Sequence, residues 1–481
     1  MDRDDVNAEV LELDVLQTAL SPSRIDVLQL GNLNNVPEND DLAFVEQSRP
    51  VNESALAPID GGFGAWSFLA AAFWVEGMLW GFPTAYGVIL VKYMEDPVLG
   101  SAPHASYLLP LIGPLSSGIM YCAGPITYPL AARMPRLRRW SIYLGVVLTF
   151  VSLLGASYTN SLSILVALQG VVYSIGGALV YAPTVYYMSE WFVKRRGLAG
   201  GVMNAGTAIG GLVIPLILPP LLDKYGIAKT LRALAISNII VCVVCLPFLR
   251  GRLPENRVSG PAARASDNRS WMKSRSFWVI NIANTLQGLA YFVPLLWLPQ
   301  YATSLHLSTR DASLSLASLN GAGVVGRLSL GILSDRFSPW FLGSITLLFA
   351  SFSIFILWGV LAYTFAGLVV YGIAYGCIAS GWTSLWAGFV RPIAKDDPTL
   401  TTSMFGILML FRGIGNILSG PISTALQPIQ SDPPFMSGRI GIKVAEGRYE
   451  KVIVYAGTCF AAAAVMVAAG WVVDGRTRGR H

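Results

Sequence analysis

Three ionisable side chains interrupt long apolar runs and are the first candidates for chemistry: Glu76, Arg327 and Arg412. A charge near the centre of a bilayer costs several kcal/mol unless it is paired or hydrated, so such groups mark functional sites by default. A carboxyl can carry a proton, and a guanidinium can hold a carboxylate in a two-point contact. The bland alternative is a buried ion pair, or an arginine whose stem lies in lipid while its head reaches the headgroups. Asn320 and Gly331 share the helical face of Arg327, which favours function there. For Glu76 both readings stay open. The glycines and Asn416 around Arg412, in FRGIGNILSG, favour packing against a neighbouring helix.

Neutral polar groups extend the candidate set. Asn281, Asn284, Gly288 and Tyr291 fall on one helical face, with Gln287 nearby, and can hydrogen-bond a solute or an adjacent helix. Tyr371, Tyr375, Trp382 and Trp386 form an aromatic stripe that can stack on a planar solute or face lipid. Other chemistries are excluded. His104, His306 and His481 are too few and too scattered for a histidine metal site or a Ser/His/Asp triad, so no metal, no cofactor and no enzyme activity is expected. The five cysteines all lie in apolar runs and read as packing residues rather than disulfide partners. Residues 321–326 fit G-x-G-x-x-G, but inside an apolar run and without a preceding strand. No phosphate-binding G-x-x-x-x-G-K-[ST] loop is present, which argues against a primary pump.

These residues must be positioned by membrane helices. The 481-residue chain is 53% hydrophobic and 13% charged, about half the charged share of a soluble domain. Its mean hydropathy is +0.54. Runs long enough to span a bilayer occur at 66–91, 106–129, 140–158, 162–188, 198–222, 231–249, 277–301, 312–333, 340–363, 365–389, 400–426 and 452–473. The expected fold is therefore an all-α integral membrane protein of about twelve transmembrane helices in two six-helix bundles, 59–249 and 277–475. Residues 1–58 read as a disordered acidic tail, since 1–60 hold 13 acids and 3 bases. They lack the basic start and apolar core of a signal peptide.

The remaining 15 acids and 31 bases give an orientation. Placing the amino terminus inside puts the basic corners at Arg133 to Arg139, Lys194 to Arg196, Arg336, Arg391 and Lys395, and Arg476 to Arg480 on the cytoplasmic side. The same rule explains the net charge better than nucleic-acid binding does. The linker 250–276 and the short tail 476–481 are then cytoplasmic too, and Asn52 and Asn268, although in N-x-[ST] patterns, stay unglycosylated.

The chain is organised around residues 191–211, WFVKRRGLAGGVMNAGTAIGG. A basic corner, Lys194, Arg195 and Arg196, runs directly into a helix whose Gly197, Gly201, Gly210 and Gly211 let another backbone come close. Within it, Asn204 is the one polar solute contact to consider. A faint internal repeat links the corner GPITYPLAARMPRLRRW to GILSDRFSPWF, as expected of two bundles around a central path.

Three stretches carry a family resemblance. Gly331 to Asp335 and Arg336 resembles the signature corner of the major facilitator superfamily. Asp60, Gly61, Gly62, Phe63, Gly64, Ala65 and Trp66 resemble the D-G-G-[WF]-G-W stretch of its monocarboxylate-porter-like members, with Ala65 as one extra residue. Trp191, Phe192, Lys194, Arg195, Arg196, Leu198, Ala199, Gly201, Met203, Ala205 and Gly206 resemble their Y-F-x-K-R-R-x-L-A-x-G-x-A-x-A-G motif, with Trp for Tyr and Met203 for Ala. The long polar amino-terminal stretch looks most like fungal members. The resemblance spans roughly 59–475 and implies a twelve-helix fold, alternating access, no bound cofactor and, in the best-known members, co-transport of a proton with a monocarboxylate. Arg327 matches the family's arginine of the eighth span, with Gly331 four residues on. Two features do not carry over: the aspartate one turn before that arginine is Gly323, and the lysine after Phe-Pro in the first span is Thr84.

The expected function is secondary active transport of a small organic solute, a monocarboxylate, another organic anion or a planar metabolite, with the bilayer and protons as the other partners. Arg327, Glu76, Thr84, Asn281, Asn284, Asn320 and Trp382 are the expected pathway residues. Asp60, Gly61, Gly62, Lys194, Arg195, Arg196, Gly201, Asp335, Arg336 and Arg412 are expected to position or gate helices. The expected location is the plasma membrane, with the vacuolar membrane as the alternative. Export of a fungal secondary metabolite and a transporter-like nutrient sensor using the acidic tail are the competing readings.

Overall fold

The computed structural model describes residues 56–253, 269–334, 336–394, 398–427 and 440–478. Nearly all of the expected acidic tail, the middle of the linker, Asp335 and the end of the basic tail lie outside these residues. Among the described residues there is no strand, and eleven helices are long and apolar enough to cross a membrane. In chain order they are α1 Gly62–Glu95, α2 Ala105–Arg133, α3 Pro135–Ala156, α4 Leu162–Trp191, α5 Arg196–Cys245 and α6 Arg275–Ser304. They continue with α7 Thr309–Ser334, α8 Pro339–Leu361, α9 Phe365–Ala394, α10 Pro398–Ala425 and α11 Glu450–Arg478. Several begin as sequence rules require: Pro135 and Pro339 open α3 and α8, where a missing N–H costs nothing. Helices such as α1 are apolar all round, as expected when one side meets lipid and the other meets protein.

The count of eleven differs from the twelve runs of the sequence for a physical reason. Runs 198–222 and 231–249 join into the 50-residue α5, whose residues are helical except Gly226, with φ 73° and ψ 174°. Fifty helical residues would reach about 75 Å, far more than a hydrocarbon core of about 30 Å. The chain turns back instead: Ile209, Val213 and Ile217 before Gly226 line the same cavity as Leu234, Ser237 and Asn238 after it. Helix α5 thus makes two of the twelve crossings, and Gly226 supplies a bend that only glycine makes without strain.

The glycine-rich first leg of α5 finds its close partner in α1. A Cβ added to Gly210 would lie 3.0 Å from Gly77 Cα, and the Gly77 carbonyl is closer still. Backbone meets backbone here, as the small residues of 197–211 predict. The legs run parallel, and at their far ends Lys92 pairs with Asp223 at 3.3 Å. The other flank of this leg meets α7: Gly201 faces Leu328, and Gly211 sits between Thr84 of α1 and Asn320 of α7. Helix α2 packs on α10, where Asn416 Nδ2 donates to Ser117 Oγ at 3.4 Å. Helices α6 and α10 cross where Gly288 meets Gly415.

Candidate functional site

Glu76, Arg327 and Arg412 are all buried, and Arg327 lies within electrostatic range of the other two. Glu76 is 1% exposed, and the close approach of α1 and α5 brings Thr207 Oγ1 near enough to donate to its Oε2 at 3.4 Å. Arg327 of α7 donates from Nη1 to the carbonyl of Asn204 in α5 at 3.1 Å, and from Nε to that of Ser380 in α9 at 3.4 Å. Arg412 of α10 is 3% exposed; its Nε and Nη1 have no hydrogen-bond partner, and its Cζ lies 4.6 Å from the centre of the Tyr291 ring. Tyr121 of α2 lies within electrostatic range of all three, and of Tyr291. The ion pairs within 4.0 Å among the described residues lie elsewhere: Lys92 with Glu95 and Asp223, and Arg138 with Glu190. The interior therefore holds two guanidiniums and one carboxyl, none neutralised by direct contact.

The neutral candidates divide by their hydrogen bonds. Thr84 donates to the carbonyls of Trp80 and Gly81 at 2.8 and 3.1 Å, and stands beside Asn320 across Gly211. Asn320 Nδ2 donates to Leu316 O at 3.3 Å within its own helix. Asn284 is fully engaged: Nδ2 donates to Leu408 O at 2.7 Å, and Oδ1 accepts from Trp382 Nε1 at 2.8 Å. Those two predicted pathway residues thus bind each other and tie α6 to α9 and α10. Asn281 donates to Phe277 O at 2.8 Å while its Oδ1 has no partner, and Gln287 has no partner at either end of its amide.

The aromatic stripe of α9 faces protein rather than lipid. Tyr371, Tyr375, Trp382 and Trp386 are all buried, and Tyr375 lies between the rings of Tyr371 and Tyr291, 5.6 and 6.4 Å away. A second aromatic group comes from the first helices: Trp80 lies 4.7 Å from Tyr121 and 5.7 Å from Tyr181. Sequence reading missed Trp80, Tyr121 and Tyr181, since a lone aromatic in an apolar run carries no directional signal. Gly323, where the family aspartate is absent, faces Ser380: a Cβ there would lie 2.8 Å from Ser380 Oγ.

The two sequence motifs at the other site meet in one corner. Asp60 accepts hydrogen bonds from the backbone N–H of Val193, Lys194 and Arg195 at 3.0, 2.9 and 2.8 Å, while its own N–H donates to Trp191 O at 2.9 Å. Desolvation pushes its carboxyl up, but those three donors and the charge of Arg195 outweigh it and hold the group below the usual carboxylate range. Asp60 takes a left-handed φ of 58°, Gly61 is extended, and Gly62 with φ 79° turns into α1 against Pro58. Lys194, Arg195 and Arg196 are exposed, as is Arg336. Beside this corner Arg138 and Glu190 form a buried ion pair at 2.9 Å, with the Arg138 guanidinium 3.7 Å over the Tyr186 ring.

Among the described residues no group of three or more His, Cys, Asp or Glu could hold a metal ion. The cavity between α1, α3, α4 and α5, about 240 Å³, is lined almost wholly by apolar groups, and Glu76 is not among its lining residues.

A sequence model of the Major Facilitator Superfamily matches residues 71–420. The chain is 24% identical over 387 residues to the MFS-type transporter pynF of Aspergillus niger, covering 79% of this chain and 87% of that one. It is 24% identical over 432 residues to monocarboxylate transporter 10 of Rattus norvegicus, covering 81% and 79%. The crystal structure of a D-xylose-proton symporter superposes with a TM-score of 0.64 at 17% identity, over 84% of this chain and 97% of that one.

Proposed function

The chain belongs to the Major Facilitator Superfamily and is a multi-pass membrane transporter rather than an enzyme, and on that premise we propose that it carries a small organic anion by alternating access, coupled to a proton. One observation carries the reading: two buried guanidiniums and one buried carboxyl share the interior with no ion pair between them. A buried ion costs several kcal/mol when unpaired, so a protein keeps such groups where a ligand completes them. With Glu76 ionised the trio carries one net positive charge, which one monoanion neutralises. A proton on Glu76 restores that positive charge, so anion and proton cross together without adding charge to the loaded site. The monocarboxylate in the rat relative's name agrees with this reading.

In this reading the helices before and after the 250–276 linker form two rocking bundles, with Arg327 reaching from α7 across to Asn204 of α5. The basic corners support cytoplasmic termini, and the plasma membrane is the proposed location. The test is uptake into proteoliposomes from a panel of organic acids, with and without an inward proton gradient. The expected result is accumulation driven by the gradient, lost in Glu76→Gln while gradient-free exchange persists. Gradient-driven uptake undiminished in Glu76→Gln, or transport confined to neutral solutes, would overturn the proposal.

A further inference from the structure

Resting on the reading above that the solute is an organic anion, we infer that Arg412, rather than Arg327, is the group that takes its carboxylate, and that the solute is an aromatic monocarboxylate. The two arginines are both buried but are used differently. Arg327 already donates to two main-chain carbonyls, of Asn204 and Ser380, so its guanidinium ties α7 to α5 and α9. Arg412 has two buried nitrogens with no acceptor. Its flank is fixed: its Cδ and carbonyl lie against Gly288 of α6, and Tyr291 supports the guanidinium face. The edge that remains is a preformed receptor for an acceptor-only group, and an ionised carboxylate is that group.

Further unmatched polar atoms lie on the same two helices. Gln287, one helical turn before Tyr291, leaves both Nε2 and Oε1 without partners, and Asn416, one turn after Arg412, leaves Oδ1 without a donor. Buried polar atoms are nearly always satisfied in folded proteins, so this concentration on α6 and α10 marks where a ligand sits. Gln287 Nε2 is a second donor for the carboxylate. Asn416 Oδ1 and Gln287 Oε1 accept from a hydroxyl or N–H carried by the ring.

The ring itself is read from the walls. Tyr121, in electrostatic range of Arg412, Arg327 and Glu76, packs on Trp80, and Trp80 in turn meets Tyr181 edge-on. Tyr291 and Tyr375 stack on each other. Aromatic groups near an anion anchor select a planar ring over a short aliphatic chain.

The test uses the purified full-length protein with benzoate, trans-cinnamate and indole-3-acetate, the amide of each, and lactate. At least one aromatic acid should raise the apparent melting temperature of the wild type, and its amide should not. Arg412→Lys should weaken that acid by at least about 30-fold, the lower end for truncating a buried charge contact. Arg412→Met should abolish the effect and yet melt no lower than wild type without ligand, because it removes an unpaired buried charge. Arg327→Lys should lower the ligand-free melting temperature and change affinity only a few-fold. The inference is overturned if the wild type binds none of the three acids, or if Arg412→Met binds them as wild type does. It is equally overturned if Arg412→Met melts well below wild type, the mark of a structural arginine. Gradient-driven uptake of lactate that ignores residue 412 would remove this inference and leave the anion-transport proposal standing. Absence of any organic-acid flux in the wild type would remove both.

Discussion

The contact between α1 and the first leg of α5 can be tested with a single methyl group. In Gly210→Ala the new Cβ would lie 3.0 Å from Gly77 Cα and 2.9 Å from Gly77 C, with the carbonyl oxygen nearer still. Its neighbours are main-chain atoms of a helix, which cannot rotate aside as a side chain can. Relaxing to an ordinary carbon contact of about 3.5–4.0 Å requires the helices to part by roughly 1 Å. Overpacking of this kind costs about 1–3 kcal/mol. Thr207 donates to Glu76 at 3.4 Å, already long, so the same displacement breaks that bond. Gly200→Ala is the matched control: its Cβ would meet only the Met188 side chain, at 3.9 and 4.0 Å. There the change should be neutral or stabilising by up to about 1 kcal/mol through helix propensity. The assay is thermal unfolding of both variants in detergent, with proton-driven uptake in proteoliposomes. Gly210→Ala should melt lower and lose flux while Gly200→Ala does neither. Equal behaviour of the two variants would refute the argument that α1 and α5 meet backbone to backbone.

Two further perturbations address the bend and the corner. Gly226→Ala should destabilise by about 1–3 kcal/mol, the cost of a non-glycine residue in that backbone region, because no atom lies within 4 Å of the new Cβ to add or offset anything; a variant as thermostable as wild type would show that the bend tolerates a side chain. Asp60→Ala should strip protection from the amides of Val193, Lys194 and Arg195 in hydrogen exchange, with little change elsewhere. Because the folded carboxyl sits below its usual range, its contribution is complete above the unfolded value and fades only as pH falls through the lower folded one. Wild-type protection at these amides, corrected for intrinsic exchange, should therefore match at pH 7.5 and pH 5; a loss by pH 5 would contradict the assigned acceptor.

The helices were legible because a bilayer imposes about twenty apolar residues on each crossing. The glycine flank of 197–211 announced a close partner for the same reason. Their joining at Gly226 was not legible, since a continuous hydrogen-bond ladder with one aberrant residue leaves no mark in hydropathy. Side-chain pairing was harder still. Asn284 and Trp382 are 98 residues apart, and their bond depends on how two helices rotate against each other. The same rotation turned the stripe of Tyr371, Tyr375 and Trp386 inward, where sequence left both lipid and solute open. Asp60 and the 193–195 amides belong to motifs that reading along the chain kept apart, because a main-chain donor has no side chain to advertise it.

That corner also sets which kinds of sequence change it can absorb. Asp60 grips three consecutive peptide groups through their main-chain N–H, and of the side chains they belong to only Arg195 contributes, through its charge. Val193 can therefore change identity freely as far as the carboxylate is concerned, proline excepted because it lacks the N–H, whereas the charge at Arg195 adds to the hold. Adding or deleting one residue there would slide the donors past the acceptor and undo all three bonds together. Lineages of this transporter should accordingly vary at position 193 while keeping the spacing from Trp191 to Arg196 fixed.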